Sequence, residues 1–199
     1  MKPTNRFATQ DDASGILEIY APYVLSTTVT FEVTVPKEQD FKVRIASISA
    51  SMPYLVCEID GKIAGFAYAG GHKSNPAFAW NTNVNVYISD TYQRCNIASA
   101  LYLAIISLLK AQGYRSIFAI VTASDVKSES FHNAFGFLKV GTLENIGYKL
   151  GAWHSVSIFE KQLDTSTSAP ATTKGITQLD PAFCAKNFKN CEKIIKIKK

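Results

Sequence analysis

A change of residue periodicity within residues 80–112 constrains this chain more than any other feature of its sequence. Residues 80–88 alternate a polar row with a second row of side chains, as a β-strand with two different faces does; the polar row is Asn81, Asn83, Asn85 and Tyr87. Residues 99–112 instead repeat apolar side chains at the spacing of an amphipathic helix. Because only a short turn lies between them, the chain must pass from strand to helix through a tight loop.

The turn at residues 93–98 has the chemistry of an anion site. The first N–H groups of a helix have no partners within the helix and lie at the positive end of its dipole. With Arg94 beside them, these groups suit a phosphate, and a pyrophosphate in particular. Taken alone, the pattern is equally that of an ordinary strand–turn–helix unit that binds nothing.

The surroundings of the turn favour the first interpretation. The turn reads Gln93-Arg94-x-Asn96-x-Ala98, and further characteristic segments accompany it in a fixed order: residues 19–24, 27–31, 84–89, 99–102, 111–114, 132–137 and 147–154. Together they resemble the GNAT acetyltransferase superfamily, whose acetyl-CoA loop is Gln/Arg-x-x-Gly-x-Gly/Ala. Within that superfamily the set is similar to the phosphinothricin N-acetyltransferase-like (L-amino acid N-acyltransferase) branch.

The resemblance implies both a fold and an activity. The fold class is α/β (α+β), the GNAT acyl-CoA N-acyltransferase fold, with a mixed central sheet flanked by helices. The activity is transfer of acetyl from acetyl-CoA, as co-substrate, to the amino group of a small amino acid or analogue of the phosphinothricin or methionine sulfone kind. It implies direct attack by the amine in a ternary complex and a homodimeric enzyme, acting on a small-molecule amine.

Matching the family's motifs residue by residue assigns three groups of positions. The catalytic positions are Asn83 and His132. The cofactor-binding positions are Val86, Tyr87, Ile88, Gln93, Arg94, Cys95, Asn96, Ile97, Ala98, Ser99 and Asp125. The substrate-binding positions are Thr28, Phe31, Lys73, Asn75, Tyr148 and His154. No metal site is expected.

Three of the catalytic and cofactor-binding positions depart from the family pattern, as does Asn75, where relatives carry a basic residue. Asn83 stands where the family has a strand Glu, usually taken as the general base, and a neutral amide cannot accept a proton from an amine. Asn96 replaces the loop's first Gly, and Asn tolerates positive φ better than other residues with a side chain. Asp125 replaces an Asn. The departures favour an alternative function, a catalytically weakened acyl-CoA-binding regulatory protein on the same fold.

Composition sets the domain organisation and the expected location. The 199 residues are 47% apolar, and residues 1–163 suit one acetyltransferase domain. We expect no membrane span, because no apolar run reaches about 18 residues, and no secretory signal, because residues 1–12 lack an apolar core. The four cysteines show no Cys-x-x-Cys spacing, so we expect reduced thiols in a cytoplasmic protein without structural zinc.

The C-terminal residues 164–199 have a different composition. A Ser/Thr-rich stretch is followed by a basic end, with seven Lys against two Asp and one Glu, for a net charge of +4. We expect a low-complexity linker and a solvated, disordered tail that is dispensable for folding. An amphipathic helix on a membrane surface or a nucleic acid is the alternative, but we expect no membrane or nucleic-acid partner.

Local patterns predict the remaining elements. Helices are expected from Asp11 or Asp12, with a break or bend at Pro22, within residues 36–51 and at residues 128–135. Strands are expected at residues 54–58, 63–69, 116–122, 138–143 and 153–163, and residues 24–35 as a loop with strand-like character.

Overall fold

The computed structural model describes residues 2–70 and 75–197. Within these residues the strands are β1 (Pro3–Phe7), β2 (Tyr54–Ile59), β3 (Lys62–Gly70), β4 (Asn81–Ile88), β5 (Ser116–Thr122), β6 (Leu138–Lys149) and β7 (Ala152–Gln162). The α-helices are α1 (Ala13–Ser26), α2 (Glu38–Ser49), α3 (Ile97–Gln112), α4 (Val126–Ala134) and α5 (Pro181–Glu192), with short 3₁₀ turns between several elements. Lys73 lies outside the described residues.

The strands form one sheet in the order β1-β2-β3-β4-β5-β7-β6. All neighbours are antiparallel except β4 and β5, which are parallel and connected by α3. These two strands pair only from Asn81 opposite Ser116 to Asn83 opposite Phe118. Beyond that point no pairing joins them, so the sheet opens into a split. The predicted fold class, a mixed sheet flanked by helices, is confirmed.

Helices cover both faces of the sheet. On one face α3 buries its apolar stripe, including Leu101, Ile105 and Leu108, against β2, β3 and β5. On the other face α1 and α2 bury Ile16, Tyr20, Phe41 and Ile45 against the aromatic side chains of β2, β3 and β4. Successive side chains of β4 point to opposite faces of the sheet, so this strand contacts the helices on both faces. Val84 faces α3, whereas Tyr87 faces α1.

The predicted change from strand to helix is present, and its boundaries have simple causes. Asn96 adopts the left-handed conformation (φ 61°), and α3 begins at the next residue, two residues earlier than predicted. Gly113 (φ 88°) ends α3 in the left-handed conformation, which closes the last turn of the helix. Glycine adopts this conformation at little cost because it has no side chain.

Two local predictions were wrong. Pro22 does not disrupt α1, which continues to Ser26, and the following residues to 37 form the expected loop but have no strand character. Strand β6 extends to Lys149, six residues beyond the predicted end, and meets β7 through a turn at Leu150 and Gly151. Both turn residues have positive φ, 50° and 80°, the geometry of a tight hairpin.

The C-terminal region also differs from the prediction. Residues 164–175 have no regular structure, but α5 follows and packs against α3 and β1. Cys184, Phe188 and Cys191 are buried on one face of α5 at helical spacing. Composition did not reveal this apolar stripe, because its three residues lie among many lysines. The stripe is nevertheless large enough for α5 to pack against α3 and β1.

No helix in the described part of the chain combines the length and the apolar character needed to cross a bilayer.

Candidate active site

The split between β4 and β5 exposes main-chain groups. Ser89 N donates to Ala64 O of β3 (3.0 Å), and antiparallel pairing alternates, so the odd-numbered residues of β4 bond to β3. The N–H and C=O groups of Val86 and the C=O of Val84 therefore point toward β5 beyond the last paired residues, whereas the main-chain groups of Ile88 are bonded to the Tyr23 hydroxyl. An extended ligand that carries amide groups finds an unpaired strand edge here.

A cleft of about 290 Å³ occupies the split. Its walls are main-chain and side-chain atoms of residues 84–88 on β4 and 119–122 on β5, with Ala98 at the start of α3. Asp125, Ser128, Phe131 and His132 of α4 and its cap line the same cleft, and Tyr23 and Val29 line it from the region of α1. The split thus leads from the first turn of α3 toward the loop that follows α1.

The loop at residues 93–98 has the geometry of a phosphate cradle. Arg94 and Asn96 both have positive φ, 61° each, so the chain turns sharply before α3. The first bond of the helix runs from Ala100 N to Asn96 O (3.0 Å), which leaves the preceding N–H groups without helical partners. Arg94 is exposed, and within the described residues it forms no salt bridge.

The other side chains of the loop support it. Gln93 Nε2 donates to Asp90 Oδ1 (2.7 Å), and Ile97 is buried in the core. Cys95 is also buried, with its Sγ 3.7 Å from Gln93 O. Cys95 and Ile97 can therefore offer a ligand only their main chain, whereas Gln93 is exposed and Ala98 and Ser99 are half-buried.

Tyr87 lies behind the cleft wall. Its ring stacks on Phe66 (centroids 5.0 Å apart) and meets Tyr20 and Tyr23 edge to face. Burial raises the pKa of its hydroxyl well above the ordinary value, so it stays protonated. Tyr23, which the sequence analysis did not single out, donates to Ile88 O (2.8 Å) and thereby ties α1 to the end of β4. All three predicted β4 positions line the cleft: Val86 presents its main chain, the main chain of Ile88 is bonded to Tyr23, and the ring of Tyr87 packs behind them.

His132 combines a place on the cleft wall with a packed environment. It is 8% exposed, and its ring contacts Tyr102, Phe137 and Phe159. Nδ1 lies 2.7 Å from Ser128 O, and because a carbonyl oxygen only accepts, Nδ1 carries the proton. Burial lowers the pKa of the imidazole, so the ring is neutral near pH 7 with its lone pair on Nε2.

Asn83 stands where β4 and β5 separate. It is the last residue of β4 paired with β5, and its Oδ1 is buried without a hydrogen-bond partner within the described residues. A buried acceptor without a donor is costly, and a ligand that donates a hydrogen bond relieves that cost. The amide sits at the head of the split, at the position the family resemblance assigns to a base.

The loop after α1 forms the far side of the site, and contacts from three elements hold it. Thr122 Oγ1 at the end of β5 donates to Thr28 O. Tyr20 of α1 shares a hydrogen bond with Thr30 Oγ1 (2.8 Å). From the β6–β7 hairpin, Lys149 donates through Nζ to Thr30 O (2.6 Å) and, at 3.4 Å, to Tyr23 O.

Lys149 is a buried cation, 4% exposed. Its partners are carbonyl oxygens, one of them in the last turn of α1, where the helix dipole is negative. Burial lowers the pKa of the ammonium group. The sequence analysis gave no role to Lys149 because nothing local to residue 149 reveals that a loop more than one hundred residues earlier lies above it.

Two predicted substrate positions meet above the hairpin. Phe31 lies against Gly147, where an added Cβ would come within 2.2 Å of the Phe31 ring, so only glycine fits. His154, which pairs with Gly147 across the hairpin, lies 6.3 Å from the same ring, centroid to centroid. His154 Nε2 donates to Lys149 O (2.9 Å), which fixes the imidazole. Thr28, Phe31 and His154 are therefore brought to one region.

The structure does not bring Tyr148 and Asn75 to this region. Tyr148 follows Gly147 on the strand and so faces the opposite way; it is 58% exposed and packs edge to face on Trp153 (5.4 Å). Asn75 Oδ1 accepts from Ala77 N (2.9 Å) and caps a 3₁₀ turn. Asp125 similarly caps α4 by accepting from Ser128 N (3.1 Å), although it does line the cleft.

Comparisons with known proteins agree with this geometry. An acetyltransferase (GNAT) domain model matches residues 6–157. A phosphinothricin N-acetyltransferase of Streptomyces viridochromogenes is 31% identical, over 87% of this chain and 94% of the relative. An L-methionine sulfoximine/L-methionine sulfone acetyltransferase of Salmonella typhimurium is 26% identical, over 84% and 99%. The crystal structure of a phosphinothricin acetyltransferase from Sinorhizobium meliloti in complex with acetyl-CoA superimposes with a TM-score of 0.81 at 28% identity, over 86% and 94%.

Proposed function

The chain belongs to the acetyltransferase (GNAT) family, and from this premise we propose that it transfers the acetyl group of acetyl-CoA to the α-amino group of a small amino acid or analogue. Phosphinothricin, methionine sulfoximine and methionine sulfone are the acceptors that the names of its relatives suggest. The observation that carries the proposal is the open β4–β5 split, which lies between the first turn of α3 and the point where β4 and β5 separate, at Asn83 with its buried, unpaired Oδ1.

The residues present fit acetyl-CoA. The positive-φ loop at residues 93–98 offers main-chain donors to the pyrophosphate, with the exposed guanidinium of Arg94 beside them. The main-chain groups of Val86, which face the split beyond the last β4–β5 pair, are suited to hydrogen-bond an amide of the pantetheine arm. When bound, acetyl-CoA supplies an activated thioester carbonyl. A main-chain N–H of β4 aimed into the split is suited to stabilise the charge on that carbonyl oxygen.

Asn83 positions the amine in this scheme and does not deprotonate it. Its Oδ1 accepts a hydrogen bond from the attacking amino group, which arrives as the neutral free amine from solvent. His132 lines the same cleft and holds its lone pair on Nε2, so it is the described residue best suited to take a proton. Direct attack in a ternary complex is favoured, because the loop's cysteine, Cys95, is buried in the core and turned toward Gln93 O.

We also propose a homodimer built on the β6–β7 hairpin. Strand β6 ends the sheet, and this strand with the hairpin exposes several large apolar side chains: Leu138, Val140, Leu143, Ile146, Tyr148, Leu150 and Trp153. Exposed apolar surfaces of this kind mark interaction surfaces.

Residues 1–163 form the catalytic domain in this proposal. All four cysteines are buried free thiols, a state maintained in the cytoplasm.

The test is a thiol-release assay with acetyl-CoA and a panel of phosphinothricin, methionine sulfoximine, methionine sulfone and free amino acids. We expect CoA release in step with an N-acetylated product for at least one of the analogues, and a rate that rises with pH as free amine accumulates. Saturable acetyl-CoA binding without turnover of any amine would replace the enzyme with the alternative, an acyl-CoA-binding protein, which the Asn at position 83 favours.

A further inference from the structure

We propose that the C-terminal residues 194–197 contribute to acetyl-CoA binding. They do so by holding the phosphate-binding loop in the conformation that binds the ligand. The loop is residues 93–98, and we call residues 194–197 the strap. The inference rests on the proposed function only in taking acetyl-CoA as the ligand of the loop.

The chain returns to this loop by a defined route. The segment after β7 is held at two points. Ala171 O accepts from Trp80 Nε1 (2.7 Å), and Lys174 exchanges two main-chain and side-chain hydrogen bonds with Gln112 at the end of α3 (2.8 Å each). Helix α5 then packs along α3, where Asn187 Nδ2 donates to Ala104 O (3.0 Å). The C-terminal region thus runs from the last turn of α3 back to its first turn.

Helix α5 is firmly anchored before the strap begins. Phe188 meets Phe7 of β1 edge to face at 5.0 Å, and Glu192 Oε1 accepts from Asn5 N (2.7 Å). Ile194, Ile195 and Ile197 of the strap are half-buried against the α3 side of the core. These contacts fix where the strap can lie.

Two hydrogen bonds join the strap to the loop itself. Asn96 Nδ2 donates to Ile194 O (3.1 Å), and Lys196 N donates to Cys95 O (2.9 Å). The first uses the side chain of Asn96 and the second uses a carbonyl, so neither consumes a main-chain N–H that a phosphate would need. The strap therefore supports the loop from behind and leaves its donors free.

This arrangement explains why an asparagine is acceptable at position 96. Asn96 has φ 61°, a conformation that glycine adopts freely and other residues only at a cost. Its amide, which glycine lacks, gains a fixed partner in Ile194 O. The hydrogen bond between Asn96 and the strap thus fixes the conformation of the loop. A glycine at position 96 could not make this bond and would leave the loop more flexible. Exposed Lys196 also adds a positive charge beside Arg94.

The experiment compares the full chain with a chain that ends at Lys193 and therefore lacks the strap. The matched control ends at Ile197, which keeps both hydrogen bonds and removes only two lysines. Each protein is examined by amide hydrogen exchange at residues 93–98 without ligand and by calorimetry with acetyl-CoA. Asn96→Gly is made in the full and the strapless chain, and Lys196→Gln in the full chain.

We expect faster exchange across the loop and acetyl-CoA affinity about tenfold weaker in the strapless chain, the worth of two lost hydrogen bonds. The control should match the full chain in both measurements. Asn96→Gly should recover part of the affinity in the strapless chain, because glycine removes the cost of positive φ. Lys196→Gln should weaken binding about twofold and reduce its salt dependence.

Unchanged loop exchange together with unchanged affinity in the strapless chain would overturn the proposal. A lower melting temperature with neither change would show that the strap only stabilises the fold, which also overturns it. If the full chain binds no acetyl-CoA, the proposed function fails, yet the exchange measurement still decides whether the strap holds the loop.

Discussion

The proposed site has two halves, one formed mainly by main-chain groups and the other by side chains. The donor half, the β4–β5 split with the loop at residues 93–98, presents main-chain groups whose directions follow from the strand alternation and from positive φ. The acceptor half consists of Asn83, the loop after α1 and the β6–β7 hairpin. Its shape depends on particular side-chain contacts, such as Lys149 to Thr30 and Phe31 on Gly147.

This difference explains why the two halves tolerate sequence change differently. A main-chain site survives substitution as long as the backbone conformation is kept, as at Asn96, where the strap supports the loop. A side-chain site depends on the functional group itself, and at Asn83 we propose that an amide occupies the position of the family's carboxylate. We therefore expect the donor half to be fully competent and the acceptor half to limit the rate.

The largest expected effect comes from restoring a carboxylate in the acceptor half. Asn83→Glu places a base on the same strand face, and general-base assistance is typically worth about 10²–10⁴ in rate. We expect turnover at pH 7 to rise and its pH dependence to flatten, with acetyl-CoA affinity unchanged. Steady-state rates from pH 6 to 9 provide the check.

Asn83→Gln is the matched control, since it adds the same length without a base and should not raise turnover. A fast wild type that Asn83→Glu slows would contradict the assignment of Asn83. His132 would then take the proton without any contribution from residue 83.

The next effect tests the donor half. Ala98 lines the cleft at the first turn of α3, and Ala98→Glu places a negative charge among groups suited to phosphate. We expect about 100-fold weaker acetyl-CoA binding from charge repulsion, measured by calorimetry. Ala98→Gln has the same size without the charge. If both variants lose affinity equally, size and not charge is responsible, and the phosphate assignment of the loop is weakened.

A smaller effect is expected where the hairpin supports the acceptor half. Lys149→Met keeps the aliphatic length but removes the donor to Thr30 O and leaves Tyr23 O with Thr27 Oγ1 alone. We expect a loss of about 1–3 kcal/mol in the free energy of unfolding and a higher KM for the amine, with acetyl-CoA affinity retained. Denaturant unfolding and steady-state kinetics measure these.

Exposed Lys62 provides the comparison for that variant, since Lys62→Met should change neither quantity. A Lys149→Met enzyme that loses acetyl-CoA affinity instead of acceptor affinity would show that the two halves are not separable in the way described.

The smallest effect concerns His132. Burial lowers the pKa of its imidazole below the ordinary 6.5, so below about pH 6.5 the unfolded chain binds a proton that the folded chain does not. The contribution of His132 to the free energy of unfolding should therefore be full above that pH and decline as the pH falls toward the lowered pKa. Unfolding of His132→Gln over pH 5–7.5 should show a flatter slope, and an equal slope in both proteins would contradict it.

The sequence predicted the donor half better than the acceptor half for a physical reason. The strand alternation, the turn and the apolar stripe of α3 are local patterns, so the order of elements and the loop could be read from neighbouring residues. Lys149, Tyr23 and Thr122 act on partners between 65 and 126 residues away, and no local pattern encodes such contacts. The docking of α5 was missed because three buried residues among many lysines leave little trace in composition.

Titration of acetyl-CoA into the wild-type protein and into Asn83→Glu tests the central claim most directly. If the donor half is intact and independent of the acceptor half, both proteins bind one acetyl-CoA per chain with equal affinity, and the affinity of both falls with rising salt. Absence of saturable binding, or an affinity that changes with residue 83, would contradict it.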